Sequence, residues 1–186
     1  MPLPPWRPLL KAAQQRDSRS PAARWLQLAT VSRDGTPRVR TLVSRGWRSD
    51  DQLLLFTDAR SEKAGDFSHQ SCVEVCWLFA KAKQQFRFRG AISTTNPAED
   101  PLLCQHYWAT MRDSGRALWA WPDPGADLDP DASFPSELPE QSTPPDHFLV
   151  LTLQVSAVDH LDLTHHPHRR RRWLVADQWR ERRLNP

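Results

Sequence analysis

The sequence predicts a mainly β fold with peripheral helices, in which six to seven antiparallel strands close into a barrel. Three observations carry this. Short runs rich in β-branched and aromatic residues alternate apolar with polar positions, as at residues 37–47 and 84–94. Turn signals punctuate those runs: Ser32-Arg33-Asp34-Gly35-Thr36 has the Asp-Gly signature of a tight hairpin, and Ser49-Asp50-Asp51 marks a second turn. Three successive hairpin-like connections imply an antiparallel meander, and closing it would protect its edges.

The elements follow in order. Pro8 suits a first helical turn, and Leu9, Leu10, Ala12 and Ala13 give residues 8–15 an apolar side. Residues 16–21 are a polar break, and 22–26 form a second short helix or a lead-in. The first strand is expected at 26–31. In the second, at 37–47, Val39, Thr41 and Val43 alternate with Arg38, Arg40 and Leu42. The third spans 53–57. Ser61 is a suitable N-cap for a helix running to about 69. The fourth strand is 73–79; in the fifth, 84–94, Phe86 and Phe88 alternate with Arg87 and Arg89. Residues 97–112 read as helix in two pieces. The segment 122–145 holds seven of the seventeen prolines and cannot be regular structure. Such a loop is expected to be a lid, a binding loop or disordered. A sixth strand at 148–155, with Phe148, Val150, Thr152 and Gln154 on one face, and a short seventh at 173–176 complete the set.

The length of 186 residues fits one domain spanning 1–186, with the Pro-rich loop as an insertion. A net charge of +3 gives little reason to expect a nucleic-acid partner. The charge is uneven, however. Residues 122–145 carry six acids and no base, and residues 160–186 carry seven arginines against three acids. Cys72, Cys76 and Cys104 are odd in number and form no paired framework, so they read as reduced thiols. Neither a signal-like apolar run nor a stretch of membrane-spanning length is evident, so a cytoplasmic protein without membrane contact is expected.

Three segments carry chemistry: residues 40–45, 55–63 and 84–90. Arg40 lies in an otherwise apolar strand, where a buried cation needs a partner or an anion. Lys63 falls in the first turn of a helix, whose free N–H groups and dipole favour phosphate. Thr57 can donate a hydroxyl, and the Gln85 amide can pair with the donor–acceptor edge of a ring. Each has an ordinary alternative: a solvated strand face, a surface lysine, β-propensity, an edge residue. Together they supply cations and donors suited to a phosphorylated, planar, polar-edged cofactor such as FMN.

Arg40-Thr41-Leu42-Val43-Ser44-Arg45, Phe56-Thr57-Asp58, Arg60-Ser61-Glu62-Lys63-Ala64 and Gln84-Gln85-Phe86-Arg87-Phe88-Arg89-Gly90 occur in the order seen in pyridoxamine 5'-phosphate oxidase and its FMN-binding split-barrel relatives. The C-terminal stretch from Trp179 to Pro186 also resembles the ending of those oxidases. The resemblance implies a split barrel, a homodimer with FMN at the subunit interface, and flavin-dependent redox chemistry on a small molecule. It implies that Arg40 and Lys63 hold the FMN phosphate with Ser61 and Arg60. Thr41, Leu42 and Val43 would run beside the isoalloxazine, and Phe56 and Thr57 would line the ribityl and phosphate region. Gln85 would contact the ring edge from the partner subunit, and Arg172 would reach the flavin.

The substrate side departs from the oxidase pattern. Arg45 stands where those enzymes have lysine, and Glu62 replaces a phosphate-side cation. Their tyrosine, arginine and serine cluster aligns with His106, Thr110 and Ser114. Arg45, His106 and Ser114 are therefore the substrate candidates, with Arg45 and Arg172 suited to an anion. The pattern is that of a related branch rather than of the vitamin B6 enzyme. That enzyme itself, a non-enzymatic flavin-binding protein, and a haem-binding barrel using His106 or the His165 group as axial ligand are the alternatives.

Two further groups stand out in the sequence. His165, His166 and His168 lie close in sequence, but neighbouring loop histidines more often sit in solvent, so no metal is expected. Trp119 and Trp121 would wall a pocket above the flavin if the acidic loop folds over it.

Overall fold

The structure, a computed structural model, describes residues 3–186; Met1 and Pro2 lie outside the described residues. Helix α1 (Trp6–Asp17) buries Trp6, Leu10, Ala13 and Asp17 along one stripe. The Asp17 carboxylate accepts hydrogen bonds from the backbone N–H groups of Lys81 and Ala82, so the buried charge is satisfied. A 3₁₀ turn (Pro21–Arg24) leads into strand β1 (Trp25–Val31). Then come β2 (Pro37–Val43), β3 (Trp47–Ser49), β4 (Gln52–Asp58), helix α2 (Glu62–His69), β5 (Cys72–Phe79) and β6 (Gln84–Thr95). Helices α3 (Pro101–Ala109) and α4 (Asp113–Arg116), a 3₁₀ turn (Ala117–Ala120), β7 (Phe148–Asp162), β8 (Arg169–Leu174) and β9 (Arg182–Leu184) follow.

The class is the expected one, mainly antiparallel β with peripheral helices, but the described residues form nine strands rather than six or seven. The expected second strand divides at Ser44, because the chain turns there and resumes as β3. β9 is three residues long and pairs only with β8, too short for a periodic signal.

The meander is corrected. β1–β2, β3–β4 and β5–β6 are hairpins, but the sheet order is β2-β1-β5-β6-β7-β4-β3. β4 therefore pairs with the distant β7 rather than with β2. The simple alternation expected at 148–155 fails for a related reason. Phe148 through Thr152 are all buried, because the strand is covered on both faces. Leu149, Leu151 and Leu153 enter the barrel core with Leu26, Val75 and Phe88. Phe148 and Val150 enter a second cluster with Phe56, Trp108 and Trp119. β7 is also longer than expected and continues past a bulge opposite Arg89 and Gly90. At Gly90 an added Cβ would lie 1.9 Å from the Gln154 carbonyl oxygen, so this close approach admits only glycine.

The acidic Pro-rich segment holds no regular element, yet it is tied down. The buried Arg116 guanidinium donates to the carbonyls of Leu138 (3.0 Å), Trp108 and Met111 and pairs with Asp113. The Trp108 indole donates to Ser142 Oγ at 3.1 Å, and the Trp121 indole to the Pro135 carbonyl at 2.9 Å. Trp119 is corrected as a pocket wall. It is buried in the second cluster, edge-on to Trp108 and Phe148, with its N–H on the Thr57 carbonyl.

Candidate cofactor-binding site

Arg40 and Lys63 reach one place from two elements. Arg40 on β2 is paired across the ladder with Leu28, so its side chain shares the face of the barrel interior. Its guanidinium donates to Thr30 Oγ1 at 2.5 Å and to Asp66 Oδ2 at 3.1 Å, and Thr30 itself donates to Asp66 at 2.6 Å. Asp66 and Lys63 are three residues apart on α2, hence neighbours on one helix face. Lys63 is half-buried and makes no ion pair among the described residues. Burial, and then the nearby Arg40 charge, push its amine below the ordinary lysine value. Asp58, Asp66 and Glu62 pull the other way from beyond ion-pair distance, so Lys63 is a second cation beside Arg40 without a paired carboxylate, a ready partner for an anion.

Ser61 stands at the N-terminus of α2 as expected, but the expected cap is corrected. Its hydroxyl donates backwards to the Asp58 carbonyl at 2.6 Å, closing the turn on itself, and no side chain caps the helix. The first N–H groups of α2 therefore stay free of a side-chain acceptor. The Arg60 guanidinium binds Asp58 (2.7 Å), Asp123 (2.9 Å) and the Trp121 carbonyl, so it ties the acidic loop to this turn. Burial pushes the Asp58 carboxyl up, yet the Arg60 hydrogen bonds outweigh it and hold Asp58 below its ordinary value.

Around this centre, Thr41 is exposed on the outward face, and Leu42 and Val43 are partly buried. Phe56 and Thr57 are both buried on opposite faces of β4, Phe56 against Tyr107 and Phe148. Arg45 lies over the Phe56 ring at 5.2 Å, with a buried Nε that has no partner; burial and the Arg24 charge lower its pKa. His106 is exposed and edge-on to Tyr107 at 5.1 Å, and Ser114 is exposed on α4.

Gln85 and Arg172 are not brought to Arg40 within the chain. Phe86 and Phe88 take the barrel side of β6, so Gln85 and Arg87 face outward. The register Thr41–Gln27–Cys76–Arg87–Asp159–Arg172 runs across the outer face. Three strand spacings, about 14 Å, separate β2 from β6. Arg172 pairs with Asp159 at 2.9 Å. Asp66, Thr30 and Asp159 are the polar partners that sequence reasoning missed. The i, i+3 spacing from Lys63 was a usable signal for Asp66, whereas its pairing with Arg40 is long-range.

The model of the pyridoxamine 5'-phosphate oxidase FMN-binding domain matches residues 3–96, the segment that contains Arg40, Lys63 and Gln85. The chain belongs to this FMN-binding family. Pyridoxine/pyridoxamine 5'-phosphate oxidase 2 of Arabidopsis thaliana is 31% identical over 165 residues, covering 86% of this chain and 83% of that protein. The enzyme of Rhizobium etli is 30% identical over 112 residues, and there the match spans half the relative's length. Among solved structures, a pyridoxamine 5'-phosphate oxidase-related, FMN binding protein of Nostoc punctiforme superposes with a TM-score of 0.91 at 33% identity over the whole of both chains. PhzG of Burkholderia lata, with a TM-score of 0.80 at 16% identity, shows the shared fold.

FMN is the cofactor of this family's domain, and the residues present fit it. The unpaired Lys63, the anchored Arg40 and the uncapped start of α2 suit a phosphate dianion. No helix among the described residues is long and apolar enough to cross a membrane.

Proposed function

We propose that this protein is a homodimeric, FMN-dependent oxidoreductase acting on a small molecule. The observation that carries the cofactor reading is Lys63: a half-buried amine beside Arg40 with no carboxylate within ion-pair distance. Arg40, Lys63 and Ser61 would hold the phosphate, while Thr41, Leu42 and Val43 would flank the ring. When bound, the flavin supplies the redox chemistry, and the chain supplies orientation and polarity.

The dimer is supported by two features of the outer face. Trp25, Val39 and Leu78 lie on the outward side of β1, β2 and β5 and are 50%, 69% and 51% exposed, apolar side chains on either side of the Thr41–Gln27–Cys76 row that a second copy would cover. Gln85 and Arg172 also lie too far across the sheet from Thr41 to flank the same ring from one chain, so a shared site would take them from the partner.

The visible absorption spectrum, with FMN titrated into the wild type and into Arg40→Glu and Lys63→Glu, tests this reading. A flavin spectrum lost in both variants supports it; a protein indifferent to FMN overturns it. Size-exclusion chromatography with light scattering reads the dimer. Turnover of pyridoxine or pyridoxamine 5'-phosphate is the second reading, favoured by the Arabidopsis relative. His106 and Thr110, standing where the oxidases have tyrosine and arginine, speak for a different substrate, while Ser114 keeps their serine. A direct oxidase assay separates the two.

A further inference from the structure

Arg7, the second residue of α1, is held against its electrostatic preference. It sits at the positive end of the helix dipole, in a first turn that contains no acidic residue. It is half-buried, and burial lowers its pKa, while Asp50 attracts it only from beyond ion-pair distance. Its guanidinium lies over the Trp47 ring, 4.0 Å from the centroid, with the Trp6 ring at 5.5 Å. Such stacking engages the flat face of the group and leaves its N–H donors unused. Those donors meet neither a carboxylate nor a carbonyl among the described residues. Trp47 also lacks a partner, since its Nε1 is buried with no acceptor.

Both side chains line a groove of about 570 Å³ between α1 and β3. Leu3, Pro8 and Leu10 supply aliphatic lining, Lys11 adds a second cation, and no acid lines the groove. It lies apart from the substrate candidates. Trp47 packs against the barrel core, whereas Arg45, two residues earlier, turns to Phe56 in the second cluster. Aliphatic lining beside two cations and no acid suits a ligand with an apolar body and an anionic head. We infer that this groove binds an amphipathic carboxylate of the medium-chain fatty acid class, its chain along Leu3, Pro8 and Leu10 and its head on Arg7 with Lys11 alongside. The chain gains by leaving water, and the head gains charge-assisted hydrogen bonds. Stacking on Trp47 already restricts the guanidinium, so less rotamer freedom is lost on binding. The carboxylate also offsets the cost of a half-buried cation at a helix N-terminus. None of this rests on the flavin-dependent reading above.

Octanoate, titrated calorimetrically into the protein in the presence of FMN, tests the groove. Acetate carries the charge without the chain, and 1-octanol the chain without the charge. The flavin spectrum of the same sample reports cofactor binding separately, and the titration stands whether or not FMN is bound. One octanoate per chain should bind saturably, with acetate and octanol at least tenfold weaker. Arg7→Gln should weaken octanoate at least tenfold, to the level of octanol, and leave the flavin spectrum unchanged. Absence of saturable binding, acetate or octanol binding as tightly as octanoate, or unchanged affinity in Arg7→Gln would overturn the site. Should Arg7→Gln fail to fold, Leu3→Asp decides, because it alters a side chain that is 57% exposed and sets an acid in the groove. It should abolish octanoate binding at an unchanged melting temperature, and undiminished binding would overturn the site.

Discussion

Arg40 Nη2 and Asp66 Oδ2 lie 3.1 Å apart, joining β2 to α2 in an ion pair that Thr30 completes from β1. Both partners are largely shielded from water. Asp66→Ala removes two charge-assisted hydrogen bonds and strands the Arg40 cation, so it should lower stability by about 2 kcal/mol. The urea midpoint of the FMN-free protein measures this, and an unchanged midpoint would contradict it.

Lys63 should trade stability for affinity. Its depressed pKa means that the folded state disfavours the charged amine, so Lys63→Met should leave the FMN-free protein equally or more stable. The same change should weaken FMN roughly 10- to 100-fold, the worth of one charge-assisted bond to phosphate, while riboflavin affinity barely moves. The protonated amine is the binding form. Affinity should therefore fall as pH rises towards the lysine pKa, and the fall should begin below the ordinary lysine range. Fluorescence titrations of FMN and riboflavin across alkaline pH read both effects.

His160 should make the protein acid-sensitive. It is stacked 4.3 Å from Phe86, with Trp173 beyond, and burial pushes its pKa down to about 4. The unfolded chain binds that proton near its ordinary value of 6.5. Stability is therefore full above 6.5, is lost as pH falls between 6.5 and 4, and then levels off. Over that window the loss from this group is roughly 3 kcal/mol. His160→Phe should remove this part of the pH dependence, as thermal melts between pH 7 and 4 would show.

Gly90→Ala should be severe. A Cβ placed 1.9 Å from a backbone carbonyl cannot be accommodated by a side-chain shift, so the β6–β7 bulge must open, at a cost on the order of 3 kcal/mol or more. Gly115→Ala is the control, since its nearest neighbour is the Met111 Cβ at 3.9 Å. Soluble yield and melting temperature of the two variants should differ plainly.

Arg116→Met should release the acidic loop. The guanidinium is 1% exposed and holds the carbonyls of Leu138, Trp108 and Met111. Without it, limited proteolysis should cut within 122–145 well before the barrel is attacked. Equal rates for variant and wild type would mean that the tryptophan contacts hold the loop by themselves.

The sequence by itself determined the local elements and marked two cations of the candidate site. Period-two alternation and the Asp34-Gly35 turn are short-range signals, and they marked most strands and the β1–β2 hairpin. Arg40 in an apolar strand and Lys63 in a first helical turn were legible because a cation in such a setting needs a reason. The tertiary structure alone decided that β4 pairs with β7 and that Ser61 closes a turn instead of capping a helix. It also placed Trp119 in a second core and gave Arg40 to Asp66, Arg60 to Asp123 and Arg172 to Asp159. Each of these choices joins residues far apart in the chain or pits a local preference against packing. Pairing across a sheet follows from which faces can be buried together, and the partner of a charge follows from which groups share that burial.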